Sequence, residues 1–345
     1  MGKAIALLVN DLHISKDTIA EFNANWDEAL GICKDEDIHE MFVGGDVFTS
    51  RGSQTLDVLL AVKNAYQRVQ PMGVMVHIAE GNHDKVDQES IFGYNHIFDM
   101  MDNINVIDTV GVFNFGDFVL AVMSYFPENG SFINKLNNLK SDLGDGIQNT
   151  ILYIHEGIHG ALGDFDIPGE LPQDVFEGFK KVLVGHYHNR VHIEGTNIQY
   201  IGSSRQNNFG EDSDKGYTIL FDDGRTRFIE NEVNTRYVTL SAEIGDVNSD
   251  FMDEIKKFAN SKPAYKVRVR VRCTEAESKT FDKKALIEIG ASKVEFVTEK
   301  LQKIEVKSTS IDEKFDKNGI KKEYQLFCDD KGIDSEPGMK YLNMI

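Results

Sequence analysis

Cysteine is scarce: Cys33, Cys273 and Cys328 are the only three in 345 residues, and none is part of a C-x-x-C pair. An odd number without paired spacing argues against a disulfide framework and a structural zinc site, and the expected setting is a reducing cytoplasm. Cys33 shares a helical face with Ile19, Phe22, Trp26 and Leu30, so it reads as a small buried apolar side chain. Long hydrophobic runs are missing too. The longest, such as Ala4 to Val9 and Met72 to Ile78, are strand-sized, well short of the ~20 residues of a membrane-spanning helix. No membrane association is expected. The apolar run after Lys3 meets Asp11 and His13 instead of a small-residue cleavage site, so no signal peptide is expected. Ala6 stands where a myristoylation motif needs Ser or Thr. There are no internal repeats or low-complexity stretches.

Positive charge is also in short supply. Lys and Arg number 37 against 56 Asp and Glu, a net charge of −19 that repels a polyanion over most of the surface. A nucleic-acid substrate would have to be held by metal ions, by a local basic face or by a partner subunit.

What the chain does have is 41% apolar residues, enough for a large core, and a regular alternation of apolar runs with amphipathic stretches up to about residue 230. That pattern predicts a layered α/β arrangement. Predicted strands are Ala4 to Asn10, Glu40 to Gly44, Val74 to Ala79, Phe118 to Ser124, Ile151 to His155 and Lys181 to Gly185. Shorter ones follow at Val191 to Glu194, Ile198 to Ile201, Gly216 to Phe221 and Arg225 to Ile229, the last two joined by a hairpin turn at Asp222-Asp223-Gly224.

The strand ends carry the chemistry. Asp11-Leu12-His13, Gly44-Gly45-Asp46, Gly81-Asn82-His83-Asp84 and Gly185-His186-Tyr187-His188 each follow a predicted strand, and His155 closes its own. Ligands at strand ends converge on one edge of a sheet. Two Asp, one Asn and up to five His make a hard, nitrogen- and oxygen-rich donor set without sulfur. It suits manganese or iron and tolerates zinc. Asp11 and His13 are two apart, so an extended segment would aim both at one ion, and His186 and His188 repeat that spacing. Asp46 follows two glycines and can bridge two ions roughly 3.5 to 4 Å apart. His39, His77, His96, His159 and His192 fit no ligand position and read as structural or surface residues.

A second unit is expected from about 235 to 308, after a first domain spanning 1 to 234. Its clearest element is the alternating strand Tyr265 to Cys273, with Val267, Val269 and Val271 on one face and Lys266, Arg268, Arg270 and Arg272 on the other. That reads as a half-buried strand, or as a DNA-backbone rail. The tail, 309 to 345, carries a stripe of Ile320, Tyr324, Phe327 and Cys328 that either packs on its own domain or docks on another protein.

In this order, D-x-H, G-G-D-V-F, G-N-H-D, a lone strand-end His and G-H-x-H resemble the calcineurin-like metallophosphoesterases, and among them the SbcD (Mre-type) DNA double-strand-break nuclease subunits, phage versions included. Gly202-Ser203-Ser204 and Phe209-Gly210-Glu211 resemble the loop that follows G-H-x-H in that family. The resemblance covers residues 1 to about 230, and it implies a four-layer α-β-β-α sandwich with a small C-terminal α+β capping domain. It implies one metal held by Asp11, His13, Asp46 and His188 and another held by Asp46, Asn82, His155 and His186. Manganese is the expected metal, with magnesium, iron or zinc compatible. His83 is implied as the acid that protonates the leaving oxygen. Many members carry a His soon after G-D-x-F, but Thr49, Ser50 and Arg51 stand here, so Asp84 is the candidate partner of His83. The implied partners are DNA, an SbcC-type ATPase subunit docked by the tail, and a second copy of the chain. Rival readings are another phosphodiesterase or phosphatase of the superfamily, or a non-catalytic adaptor of the ATPase.

Overall fold

The computed structural model describes residues 2–163 and 167–298 and, in the tail, positions 324, 325, 327, 328, 334, 335, 338 and 339. In chain order the principal elements are β1 (Ala4–Val9), α1 (Ile19–Asp35), β2 (Glu40–Gly44), α2 (Leu56–Gln67), β3 (Met75–Ala79), β4 (Ile104–Ile107), β5 (Val110–Asn114), β6 (Val119–Met123), α3 (Phe132–Leu143) and β7 (Thr150–His155). Then come β8 (Lys181–Gly185), β9 (Val191–His192), β10 (Ile198–Tyr200), β11 (Gly216–Phe221) and β12 (Thr226–Glu230). They form two six-stranded sheets, ordered β12-β11-β1-β2-β3-β4 and β5-β6-β7-β8-β10-β9.

Three apolar layers fix the stack. Trp26, Leu30 and Cys33 of α1 and Val62 and Tyr66 of α2 pack on the outer face of the first sheet. Phe132, Leu136 and Leu139 of α3 cover the second sheet. Leu8, Phe42, Leu120, Tyr153 and Leu183 fill the space between the sheets. The fold is therefore the four-layer α-β-β-α sandwich. α1 presents its apolar side chains at helical spacing and stops where Asp37 turns left-handed (φ 54°) and Ile38 N bonds back to Cys33 O at 2.8 Å. Trp26 is fully buried and its indole N–H reaches Ala65 O at 3.0 Å, locking α1 to α2. Truncating it to Ala would cost about 3–5 kcal/mol.

A separate three-stranded parallel sheet follows: β13 (Arg236–Glu243), α4 (Ser249–Ala259), β14 (Tyr265–Arg272), α5 (Glu275–Thr280), α6 (Lys283–Glu288) and β15 (Ala291–Val297), in the order β13-β14-β15. Val267, Val269 and Val271 are buried with Ile255 and Leu286 under the helices, and the basic face looks the other way. The apolar runs give the central strands nearly to the residue. The unpredicted strands β4, β5, β13 and β15 are all at sheet edges, where one side lacks a neighbour and the apolar run is weak. Most of the tail, 309–345, with Ile320 and the proposed docking role, lies outside the described residues. Among the described residues no helix is long and apolar enough to cross a membrane.

Candidate metal centre

The carboxyl ends of β1, β2 and β3 in one sheet meet those of β7 and β8 in the other, and this seam gathers all the predicted ligands. The loops there are tightly wound. Asp11, His13, Asp46 and His186 all have positive φ (52°, 44°, 53° and 83°), a conformation rare outside glycine. Sequence spacing had suggested extended D-x-H and H-x-H segments. The side chains converge instead because each loop is curled and pinned: Asp11 N bonds to Gly45 O at 3.1 Å and His13 N to Asp46 O at 3.0 Å. Two glycines make the approach possible. A Cβ on Gly45 would lie 2.5 Å from His155 Nδ1, and one on Gly81 would lie against the Asp46 carboxylate.

Around this seam the donor atoms crowd together. His13 Nε2 and His188 Nε2 are 3.0 Å apart, and Asp46 Oδ2 is 3.5 Å from His13 Nε2 and 3.3 Å from His155 Nε2. Asp11 Oδ1 lies 3.9 to 4.0 Å from His13, His155 and His188. Asn82 Oδ1 is 3.3 Å from both His155 Nε2 and His186 Nδ1. Among the described residues, neither oxygen of the fully buried Asp11 carboxylate has a close hydrogen-bond partner. A buried charge short of hydrogen bonds is expensive, and neutral imidazole nitrogens facing each other, as those of His13 and His188 do, repel; divalent cations would relieve both. Asn82 makes the same point. Turning its amide over would let its nitrogen donate to Asp46 and His155 and its oxygen accept from Arg51, which the protein alone favours, whereas a cation requires the oxygen inward. The donor set thus fits two cations, with Asp11, His13 and His188 on one side, Asn82, His155 and His186 on the other and Asp46 between.

The electrostatics follow burial. Burial raises the Asp11 carboxyl, and it drives His13 well down and His186 down to about 3. Burial opposes charge on His155 and Asp46 as well, but their mutual attraction wins, pushing His155 up to about 9 and Asp46 well below the usual range. His155 Nδ1 donates to Gly44 O at 2.9 Å and His188 Nδ1 to Glu211 Oε1 at 2.7 Å, so both rings aim Nε2 inward.

Asp84 does not partner His83. Neighbouring side chains on this turn diverge: Asp84 is fully buried and accepts from Phe48 N at 2.9 Å and Gly81 N at 2.8 Å, with burial pushing its pKa up to about 7. It braces the G-N-H-D turn. His83 Nδ1 instead bonds to the Thr49 carbonyl at 2.7 Å, and Arg51 Nη2 lies 3.3 Å from His83 Nε2. Residue type and spacing could not reveal this pair, since a backbone carbonyl has no side-chain signature. A cleft of about 970 Å³ opens over the centre, lined by His13, Asp46, His83, His186 and His188. The basic face of β14 is paired internally: Lys266 with the Tyr237 hydroxyl, Arg268 with Phe209 O, Arg270 with Glu295 and Arg272 with Glu243.

The family profile of the calcineurin-like phosphoesterases matches residues 6–190, more than half of the chain. The chain belongs to this family. Its calcineurin-like core is a metal-dependent phosphoester hydrolase fold, and the matched segment ends just after His188, so it contains every ligand named above. A dimetal phosphatase from Danio rerio is a structural neighbour at 11% identity and a TM-score of 0.45, covering 64% of this chain and 93% of its own. Among curated proteins, none matches the sequence.

Proposed function

We propose that this phosphoesterase is a manganese-dependent DNA nuclease, both exonuclease and endonuclease, acting as a homodimer beside an SbcC-type, SMC-like ATPase in double-strand-break processing, recombination or replication. The observation that carries the reading is the imidazole at the rim of the metal centre: His83, packed edge-on against His13 at 5.1 Å between ring centres, with a ring nitrogen within 4.8 Å of the donor atoms of His13 and Asp46. Two divalent cations in this donor set would supply Lewis acidity at phosphate oxygens and lower the pKa of water toward neutrality. His83 Nδ1 is committed to the Thr49 carbonyl, so Nε2 is the atom that holds a proton for a leaving alkoxide. The Arg51 guanidinium next to it is placed to donate to a non-bridging phosphate oxygen.

A chain of charge −19 needs help with a polyanion. On this reading the ATPase supplies most of the positive surface, and Lys266, Arg270 and Arg272 contribute locally. Large exposed apolar side chains concentrated between Leu56 and Met100, including Ile91, Phe92 and Ile97, favour self-association.

The test is digestion of linear duplex DNA with manganese. Asp46→Ala should abolish it. His83→Ala should lower turnover of DNA by about 10²–10⁴-fold, yet lower hydrolysis of bis-p-nitrophenyl phosphate far less, because p-nitrophenolate leaves without a proton. Undiminished DNA digestion by both variants would end the nuclease reading.

A further inference from the structure

The motif Phe209-Gly210-Glu211 is in none of the candidate metal clusters among the described residues, yet the stretch from 203 to 211 runs from the metal centre to the C-terminal sheet. At one end it braces ligands. Ser203 N bonds to His188 O at 3.0 Å and Ser204 N to Asn10 O at 3.0 Å. Arg205 Nη2, on a side chain only 3% exposed, caps Leu12 O at 3.1 Å and His13 O at 3.0 Å. Glu211 Oε1 takes the Nδ1 proton of His188, and Asn207 N and Asn208 Nδ2 hold that carboxylate in place at 2.9 and 2.7 Å.

The other end of the stretch is fastened to β13 and β14. The buried Gln206 amide accepts from Tyr237 N at 2.9 Å while its nitrogen reaches Tyr237 O at 3.3 Å and Glu211 O at 3.0 Å. Phe209 packs edge-on against Tyr237, with ring centres 5.0 Å apart. Arg268 lies over the Phe209 ring at 4.8 Å and donates to Phe209 O at 3.2 Å.

The bracing is one-sided. Asp11, His13 and His188 are reached directly or through their own loops, but among the described residues no hydrogen bond joins 203–211 to Asn82, His155 or His186. Those three are set by strand ends and by Gly44 O.

We propose that residues 203–211 act as a strap through which the seating of the C-terminal sheet sets metal affinity at one cation position, that of Asp11, His13 and His188, and leaves the other position unaffected. Glu211, Gln206 and Arg268 are positioning residues, and Arg268 serves the strap instead of DNA. This rests on the reading of the seam as a two-cation centre.

The test is manganese titration of the full metal-free chain, followed by calorimetry and by electron paramagnetic resonance. Wild type should bind two ions. Glu211→Gln should weaken one of them by about 10–100-fold, as loss of a ligand's outer hydrogen-bond partner does. Gln206→Ala and Arg268→Lys touch no ligand, and the latter keeps the charge. They should weaken the same ion by about two- to thirtyfold, the range for mutations along a coupling route. His186→Ala, which strikes the other position, identifies which ion has changed. Wild-type affinities in both Gln206→Ala and Arg268→Lys would overturn the strap, and so would equal weakening of the two ions. Fewer than two ions in the wild type would overturn the metal centre itself and the strap with it.

Discussion

The phosphoesterase core and the C-terminal sheet dispose of charge in opposite ways. In the core, Asp11, Asp46 and His155 are at most 2% exposed, and their donor atoms face one another across 3.3 to 3.9 Å. On β14, Arg272 is exposed and Arg270 is about one-third exposed, each opposite a glutamate of a neighbouring strand. Surface pairs of that kind contribute roughly 0–1 kcal/mol, so they make a scaffold that tolerates change. A buried cluster of carboxylates and imidazoles stripped of water is instead a cost to the fold that a bound ligand can offset, and that marks it as a site.

The largest effect should come from removing one member of the buried cluster. Asp11→Asn keeps a side chain that tolerates the left-handed backbone at φ 52° while deleting a buried charge that has no close hydrogen-bond partner among the described residues. The metal-free protein should become more stable, by about 1–3 kcal/mol. The stabilisation that manganese gives to wild type, about 2.7 kcal/mol per site at a hundredfold excess over Kd, should shrink by at least one site's share. Thermal unfolding with manganese and with chelator measures both. A destabilised metal-free variant would break the contrast between the two regions, because it would mean that the cluster supports the fold.

The next effect belongs to the C-terminal sheet. Val269 is fully buried beside Ile255 and Leu286, so Val269→Ala should cost about 2 kcal/mol. Hydrogen exchange should rise across 236–297 and not in β1, β2 or β7, since the two apolar cores share no residue. Exchange rising equally in both regions would show that they unfold as one unit.

The same contrast explains what could be read from the sequence. Central strands such as β2 and β8 were legible because both faces are buried, and the ligands at their ends followed from the topology. The alternation of Val267, Val269 and Val271 gave the orientation of β14. What stayed hidden depends on contacts far apart in sequence: the Thr49 carbonyl under His83, 34 residues away, Arg205 under His13, 192 residues away, and the glutamates that neutralise the basic face. Residue type and spacing identify which groups are present, whereas partners across sheets require the fold. The extended reading of D-x-H failed for that reason, since the curl of the loop is imposed by Gly45 and Asp46 of the neighbouring strand end.

The smallest effect concerns the exposed pairs themselves. Arg272 is about half exposed and 3.4 Å from Glu243. Arg272→Ala should therefore alter stability by less than ~1 kcal/mol. If this side chain also meets a phosphate, the slope of log affinity for duplex DNA against log salt should fall by about 0.9. Arg268→Ala should leave that slope unchanged, because its guanidinium is already engaged by Thr239, Phe209 and the Phe209 ring. Fluorescence anisotropy across a salt series reads both variants. Equal slopes for Arg272→Ala and wild type would remove Arg272 from the DNA face, whereas a lower slope for Arg268→Ala would return that residue to it and weaken the division of labour along the strand.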